Sequence, residues 1–263
     1  MGFSFMEDLI DTQSEPDQRG LKIDWVGISS YSHPIQIQDK LGLKQNTVAE
    51  FSLAVNLPQE CRGTHMSRFV EALNESPISL SVNELHSIPQ QLLERLSAKH
   101  SKVSIKFPYF VEKSSPQSGA LGLMDYEVIF ETVANQDEVD SKIVLKIPVT
   151  TVCPCSKAIS ERGAHNQRGI VTYSVRSNDT MWIEDLICLV ESCASSQLYS
   201  LLKRSDEKHV TEDAYDNPVF VEDLVRNIAM KSNDLPNILW YRIEAENFES
   251  IHNHSAYAVI EKG

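Results

Sequence analysis

Apolar and polar residues alternate with a period of two over several stretches of the chain, and each such stretch predicts a strand. Residues 22–38 are rich in Val, Ile, Tyr and Trp. Residues 46–57 carry Val48, Phe51, Leu53 and Val55 in partial alternation, with Gly42 and Asn46 marking the turn between the two. The period then changes to that of a helix. Met66, Phe69, Val70 and Leu73 predict one helix from near Thr64. A second is predicted from Ser81, whose Glu84 three residues on makes a capping-box signature, with Leu85, Leu92, Leu93 and Leu96 as its apolar positions. Pro89 disfavours its early part. Two more strands follow at 102–112 (Val103, Ile105, Phe107, Phe110) and 120–133 (Leu121, Leu123, Tyr126, Val128, Ile129).

After the polar run from Asn135 to Glu138 the same order returns. Residues 142–152 alternate as Ile143, Leu145, Ile147 and Val149. In 168–176, Val171, Tyr173 and Val175 oppose Ile170, Thr172, Ser174 and Arg176. A long helix is predicted over 182–202 and another over 218–230, with Pro218 near its first turn. Strands at 238–247 and 255–261 close the chain. Both halves therefore read strand, strand, helix, helix, strand, strand. Strands adjacent in sequence and joined by short turns predict an α+β fold of antiparallel sheets, with a helix pair on one face. The expected division is a loose acidic tail over 1–20, a first unit over 21–138 and a second over 139–263.

Composition narrows the class. With 37 Asp+Glu against 24 Lys+Arg, the net charge of −13 argues against a general nucleic-acid binder, yet leaves room for an anionic small substrate in a local basic pocket. A hydrophobic fraction of 41% excludes a mostly disordered chain. No apolar run reaches the ~18 residues that span a bilayer, so no membrane partner is expected. Residues 1–20 hold five acids and lack a basic n-region, and the myristoylation pattern fails at position 6. The protein is expected in the cytoplasm, with its five cysteines as thiols or metal ligands rather than bridges. Neither a Walker A loop nor G-x-G-x-x-G occurs, which removes the common phosphate-loop and dinucleotide folds.

The densest polar constellation lies between two predicted strands: Cys153-Pro154-Cys155-Ser156-Lys157, then Glu161 through Arg168 with His165 among them. In an extended chain Cys153 and Cys155 point the same way and face one cavity. One sulfur then suits a metal ion and the other suits reactive chemistry; the competing reading is two buried thiols in a connecting loop. No pair of C-x-x-C motifs supports a structural zinc knuckle. A second cluster is Glu246 to His254, where His252 and His254 share a side if extended. A third, Asp206 to Glu212, reads as a charged link between helices. Glu222, early in a helix, serves either the helix dipole or a bidentate bond to a flat heterocycle. Arg62 to Arg68 sets cations and hydroxyls at a helix start, which suits phosphate or simple capping by Thr64. Cys188 and Cys193 read as core, and Cys61 as undecided.

Taken together, C-P-C-S-K and G-A-H-N-Q-R within 148–168, G-T-H-M-S-R-F at 63–69, N-P-x-F-V-E-D at 217–223 and E-N-F-E-S-I-H-N-H at 246–254 resemble the type IB GTP cyclohydrolases of prokaryotes. The similarity covers nearly the whole chain after the tail. It implies tandem tunnelling-fold units, each an antiparallel four-stranded sheet with two helices on one face. It also implies a homo-oligomer, a tetramer, with sites at subunit interfaces. The implied reaction turns GTP into 7,8-dihydroneopterin triphosphate and formate, the entry to tetrahydrofolate synthesis, using water activated by a divalent metal ion (Zn, Mn or Fe). By matching position the resemblance implies Cys153, Glu207 and His252 as metal ligands and Cys155 as the essential thiol near C8. His165 is either a further ligand or the acid that protonates a leaving nitrogen, the acid being preferred. Glu222 would anchor the guanine edge and Glu249 would contact substrate. Lys157, Arg168 and Arg68 would hold the triphosphate. Two other readings stand beside it. The nitrile reductase of queuosine synthesis shares the implied fold, but its E-[SL]-K-[SA] stretch is absent here. A non-enzymatic nucleotide-binding relative would lose the thiols and histidines that this chain keeps.

Overall fold

The computed structural model describes residues 11–74, 79–80 and 87–262. Among the described residues nine strands form one sheet: β1 (Ile23–Gln38), β2 (Lys44–Leu57), β3 (Ser79–Leu80), β4 (His100–Ser114), β5 (Leu121–Asn135), β6 (Val139–Val152), β7 (Asn166–Ser177), β8 (Ile238–Asn247) and β9 (Ala256–Lys262). Their spatial order is β3-β1-β2-β4-β5-β6-β7-β8-β9, every pair antiparallel except β3 beside β1. The helices are α1 (Ser67–Asn74), α2 (Ser87–Arg95), α3 (Pro154–Ile159), α4 (Ile183–Glu191), α5 (Arg204–Asp216) and α6 (Val221–Asn233).

The period-two pattern becomes one continuous apolar face. Val171, Tyr173 and Val175 of β7 are buried, as are Leu145, Ile147 and Val149 of β6 and Tyr241, Ile243 and Ala245 of β8. They join Leu186, Ile187 and Val190 of α4 and Leu224, Val225 and Ile228 of α6 in the core. Each fully buried aliphatic side chain there contributes about 1.5–3 kcal/mol relative to exposure. The two halves are not separate sheets. Asn135 Oδ1 accepts from the backbone N–H groups of Asp137 and Glu138, folding a tight hairpin, and β5 pairs with β6 from Glu127↔Lys146 to Ala134↔Val139.

One expectation falls partly outside the described residues, and four others change. The start of the helix predicted from Ser81, with Glu84 and Leu85, lies outside the described residues; its later part is α2, with Leu92 and Leu93 buried. The helix predicted over 182–202 ends at Glu191. Beyond it Ser195 and Ser196 turn to the end of β6, past its pairing with β5: Ser195 N–H donates to Thr150 O, Ser195 Oγ accepts from Val152 N–H, and Ser196 bridges Thr150. Serines that take backbone partners in this way compete with helix propagation. Cys188 is exposed on α4, whereas Cys193 is buried as expected. Residues 206–212 are not a link but lie within α5, started by a capping box in which the Asp206 carboxylate accepts from Lys203 N–H at 2.8 Å. Of the expected tail, the part from Asp11 onward is tied down: Gln13 Nε2 donates to Thr64 O, Arg62 pairs with Glu15, and Pro16 bridges Cys61.

Candidate functional site

Strand β6 ends at Val152, and the chain turns at once into α3. Cys153 is the N-cap: its Sγ accepts from Ser156 N–H at 3.4 Å, and Pro154 occupies the first turn, where a missing N–H costs no hydrogen bond. The segment is shut at its base. Cys153 N–H donates to His165 O at 3.1 Å, while Ser156 Oγ donates to Cys153 O and accepts from His165 N–H at 3.1 and 3.2 Å. Because the backbone is helical from Pro154, the extended-chain argument that Cys153 and Cys155 face one way fails; helical neighbours diverge around the axis. Cys153 is half-buried and Cys155 exposed.

Around this cap the sheet end gathers further groups. His165 Nδ1 lies 3.0 Å from Gln167 Oε1 and 3.8 Å from Glu249 Oε2. Gln167, buried, donates through Nε2 to Thr151 Oγ1 at 3.0 Å. The loop bearing Glu249 is held on β7 by Phe248 N–H donating to Arg168 O at 2.9 Å. Close packing of that loop needs a glycine: a Cβ on Gly169 would stand 2.4 Å from Asn247 Oδ1 and 3.0 Å from Glu246 O. Val219 N–H donates to Val152 O at 3.0 Å, which sets the start of α6, with exposed Glu222 in its first turn, beside the Cys153 cap. Lys157 Nζ donates to Tyr215 O at 2.5 Å and lies over the Tyr215 ring, fastening α3 to the end of α5.

So Cys153, His165, Glu249 and Arg168, with Lys157 and the Glu222 helix start, share one end of the sheet. Among the described residues no hydrogen bond, ion pair or ring contact joins the other expected residues to this group. Glu207 lies in the first turn of α5, eight residues and ~12 Å of helix rise from Tyr215. His252 and His254 stack on one another, exposed, with ring centroids 5.1 Å apart. Arg68 sits on α1, which packs on α2, and its guanidinium reaches Arg95 O at 3.4 Å. Among the described residues no three His, Cys, Asp or Glu side chains converge closely enough to hold a metal ion. Cys153, Glu207 and His252 are donors of the right chemistry, but one folded chain does not close a metal site around them.

Residues given no part in the expected site do much of the positioning. Asp206, buried, accepts from Gln117 N–H, Ser118 N–H and Ser118 Oγ as well as Lys203 N–H, joining α5 to the β4–β5 hairpin. Burial raises its carboxyl pKa, but these donors, Ser118 foremost, outweigh that and hold it well below the ordinary 3.8. Glu191, at the end of α4 and 4% exposed, accepts from Lys113 Nζ at 2.8 Å and from Tyr126 OH at 2.7 Å. Burial and that acceptor push the Tyr126 phenol far above its usual range, so it stays a donor.

A thiol cap, an imidazole held by an amide, and flanking carboxylates and cations on the ends of adjacent strands make the equipment of an enzyme rather than of a passive binding module. A sequence profile described as type I GTP cyclohydrolase folE2 matches residues 9–258. The chain is 60% identical over 260 residues to GTP cyclohydrolase FolE2 of Akkermansia muciniphila, covering 98% of both. It is 53% identical to the FolE2 of Methylobacillus flagellatus, covering 96% of this chain and 95% of that one. For the FolE2 of Syntrophus aciditrophicus the figures are 48% identity with 97% and 100% coverage. The chain belongs to the type I GTP cyclohydrolase folE2 family, and it is an enzyme. Solved structures share the fold alone. Urate oxidase from Bacillus subtilis 168 matches with a TM-score of 0.53 at 6% identity, over 90% of this chain and 98% of that one. A uricase from Bacillus fastidious gives 0.52 at 7%, over 90% and 93%.

Proposed function

We propose that this chain converts GTP and water to 7,8-dihydroneopterin triphosphate and formate, the first step of tetrahydrofolate synthesis. The observation that carries the reading is the Cys153–His165–Glu249 neighbourhood at one end of β6, β7 and β8, in a chain related to FolE2 enzymes over nearly its whole length. The chemistry hydrolyses both C–N bonds to C8 of the purine and releases C8 as formate. Reclosure through the rearranged ribose returns one water, leaving a net consumption of one.

Each residue has a role in that sequence. Cys155, exposed on α3, is the thiol presented to C8. His165 passes a proton to a departing nitrogen. Glu222 accepts two N–H bonds from the guanine edge, a bidentate match for a carboxylate. Glu249 contacts substrate as well as His165. Lys157, Arg168 and Arg68 supply positive charge for the triphosphate, Arg68 from a second copy of the chain. The reading expects a divalent ion (Zn, Mn or Fe) with Cys153, Glu207 and His252 as ligands. It further expects a cytoplasmic homotetramer of tandem tunnelling-fold units, β1, β2, β4 and β5 forming one and β6 to β9 the other, with its sites between subunits.

The test is pterin fluorescence and formate release from GTP, after chelation and then with Zn²⁺, Mn²⁺ or Fe²⁺ returned. Metal-dependent formation of both products supports the proposal. Silence with every metal, in folded and oligomeric protein, overturns it and directs the next assay to a nitrile with NADPH.

A further inference from the structure

Strand β1 carries one residue too many near its start. Ile23 pairs with Leu57 and Val26 with Val55, so Asp24 and Trp25 together oppose Asn56 alone. A bulge of this kind re-aims the side chains it displaces, and here it borders a hollow of about 570 Å³ at the ends of β1, β2 and β4. Lys22, Asp24, Trp25, Asn56, Lys99 and His100 line it. The hollow lies at the far end of the ladder from Cys153. His100 pairs with Asn135 at the hairpin that leads into β6, whereas Cys153 follows the last residue of β6.

The free polar groups of the hollow are donors. Asn56 Oδ1 accepts from Lys99 N–H at 2.9 Å and from His100 N–H at 2.7 Å, which fills the oxygen and fixes the amide. Among the described residues, the Asn56 NH₂ group, the Trp25 indole N–H and the Lys99 ammonium have no partner. The one carboxylate in the lining, Asp24, is paired with Lys22 at 3.2 Å. Trp25 is 43% exposed, so its ring is open to a second flat group. On a chain of net charge −13, donors and a spare ammonium beside an open aromatic ring select an anion with a flat apolar part. Three donors, from Lys99, His100 and Asn56, match the three terminal oxygens of a phosphate better than the two of a carboxylate. The volume falls within the roughly 300–1,000 Å³ of small-molecule sites.

We propose that this hollow is a binding site for a phosphorylated planar heterocycle, a nucleoside monophosphate in its simplest form. The ring stacks on Trp25, and Lys99, His100 and the Asn56 amide hold the phosphate. The site is independent of the reaction assigned to the Cys153 end, and binding there breaks no bond.

The test is a titration of whole protein with AMP, followed by tryptophan emission and by equilibrium dialysis, with adenosine and inorganic phosphate as its two halves. AMP should quench the emission saturably, and each half alone should bind at least roughly tenfold more weakly. Trp25→Phe, which leaves Trp182 and Trp240 in place, should lose the quench. Lys99→Glu should weaken AMP roughly tenfold, while Lys99→Arg keeps its affinity within about twofold. Glu222→Ala, at the end assigned to GTP, should leave the AMP titration unchanged. The inference is overturned by the absence of saturable binding in both assays, or by phosphate alone binding as tightly as AMP. Binding that Lys99→Glu spares and Glu222→Ala removes overturns it as well. Dialysis of the wild-type protein against AMP and its halves decides even where a variant does not fold.

Discussion

Replacing Glu191 by Gln isolates one buried charge. Glu191 and Lys113 are 4% and 10% exposed, joined at 2.8 Å, and Lys113 Nζ also donates to Leu198 O at 2.9 Å. Gln keeps an acceptor for Tyr126 OH, so the change removes the negative charge and little else. It leaves the Lys113 ammonium buried without a counter-ion, a loss of about 3–5 kcal/mol. For a urea m-value of about 3 kcal/mol/M, the unfolding midpoint should fall by on the order of 1 M. Measurements are made at one fixed protein concentration, since association would otherwise shift the midpoint. Lys113→Met in the same chain removes the stranded charge, so the double variant should lose less than the sum of the two single variants. A midpoint shift below about 0.2 M for Glu191→Gln, or simple additivity in the double variant, would refute the reasoning. Turnover should fall as well, because Glu191 anchors the end of α4 just before the Ser195 segment that hydrogen-bonds Thr150 and Val152 beneath Cys153.

Three further outcomes are expected. Cys155→Ala should abolish pterin formation while sparing metal content by elemental analysis, whereas Cys153→Ala should lose both; metal and activity retained in both variants would remove the roles assigned to the pair. Asp206→Asn should destabilise the protein at neutral pH. Because the folded carboxyl sits below its unfolded value of 3.8, its contribution is present above that value and is lost as pH falls through the folded one, so the deficit should narrow below pH 3.8. An unchanged gap in urea titrations stepped through that window would contradict this. Gly169→Ala should cost about 1–3 kcal/mol in thermal unfolding by driving Asn247 aside, with turnover reduced through the displaced Glu249 loop. An unaltered melting temperature would show that Asn247 moves freely.

The sheet was legible because burial on one face imposes a period of two: Val171, Tyr173 and Val175 can be read as an inward row without any coordinates. Helix ends were less so. Leu198, Leu201 and Leu202 extend a helical spacing past Glu191, but the contacts that stop α4 come from Thr150 and Val152, some forty residues upstream in the chain. Helix α5 offered only Val210 and Ala214 as inward-facing apolar positions, and its start depends on Ser118 and Gln117 at a distant hairpin. The site divided in the same way. The strings around Cys153, His165 and Glu249 announced chemistry, since thiols, imidazoles and carboxylates rarely crowd by chance. Their partners did not, because Thr151 and Tyr215 carry no signal until folding joins them. The shared orientation of Cys153 and Cys155 was misread for a local reason: Pro154 opens a helix rather than stiffening an extended strand.

The hairpin at Asn135 carries a consequence for motion. Eight residue pairs run between β5 and β6, so the halves are rungs of one ladder and not two bodies on a swivel. Opening them like jaws would shear that whole ladder. Either half could shift against the other only by a change of register between β5 and β6, which would turn every side chain of the slipped strand to the opposite face. What the two halves carry is therefore fixed to one plank, like studs driven into the same board.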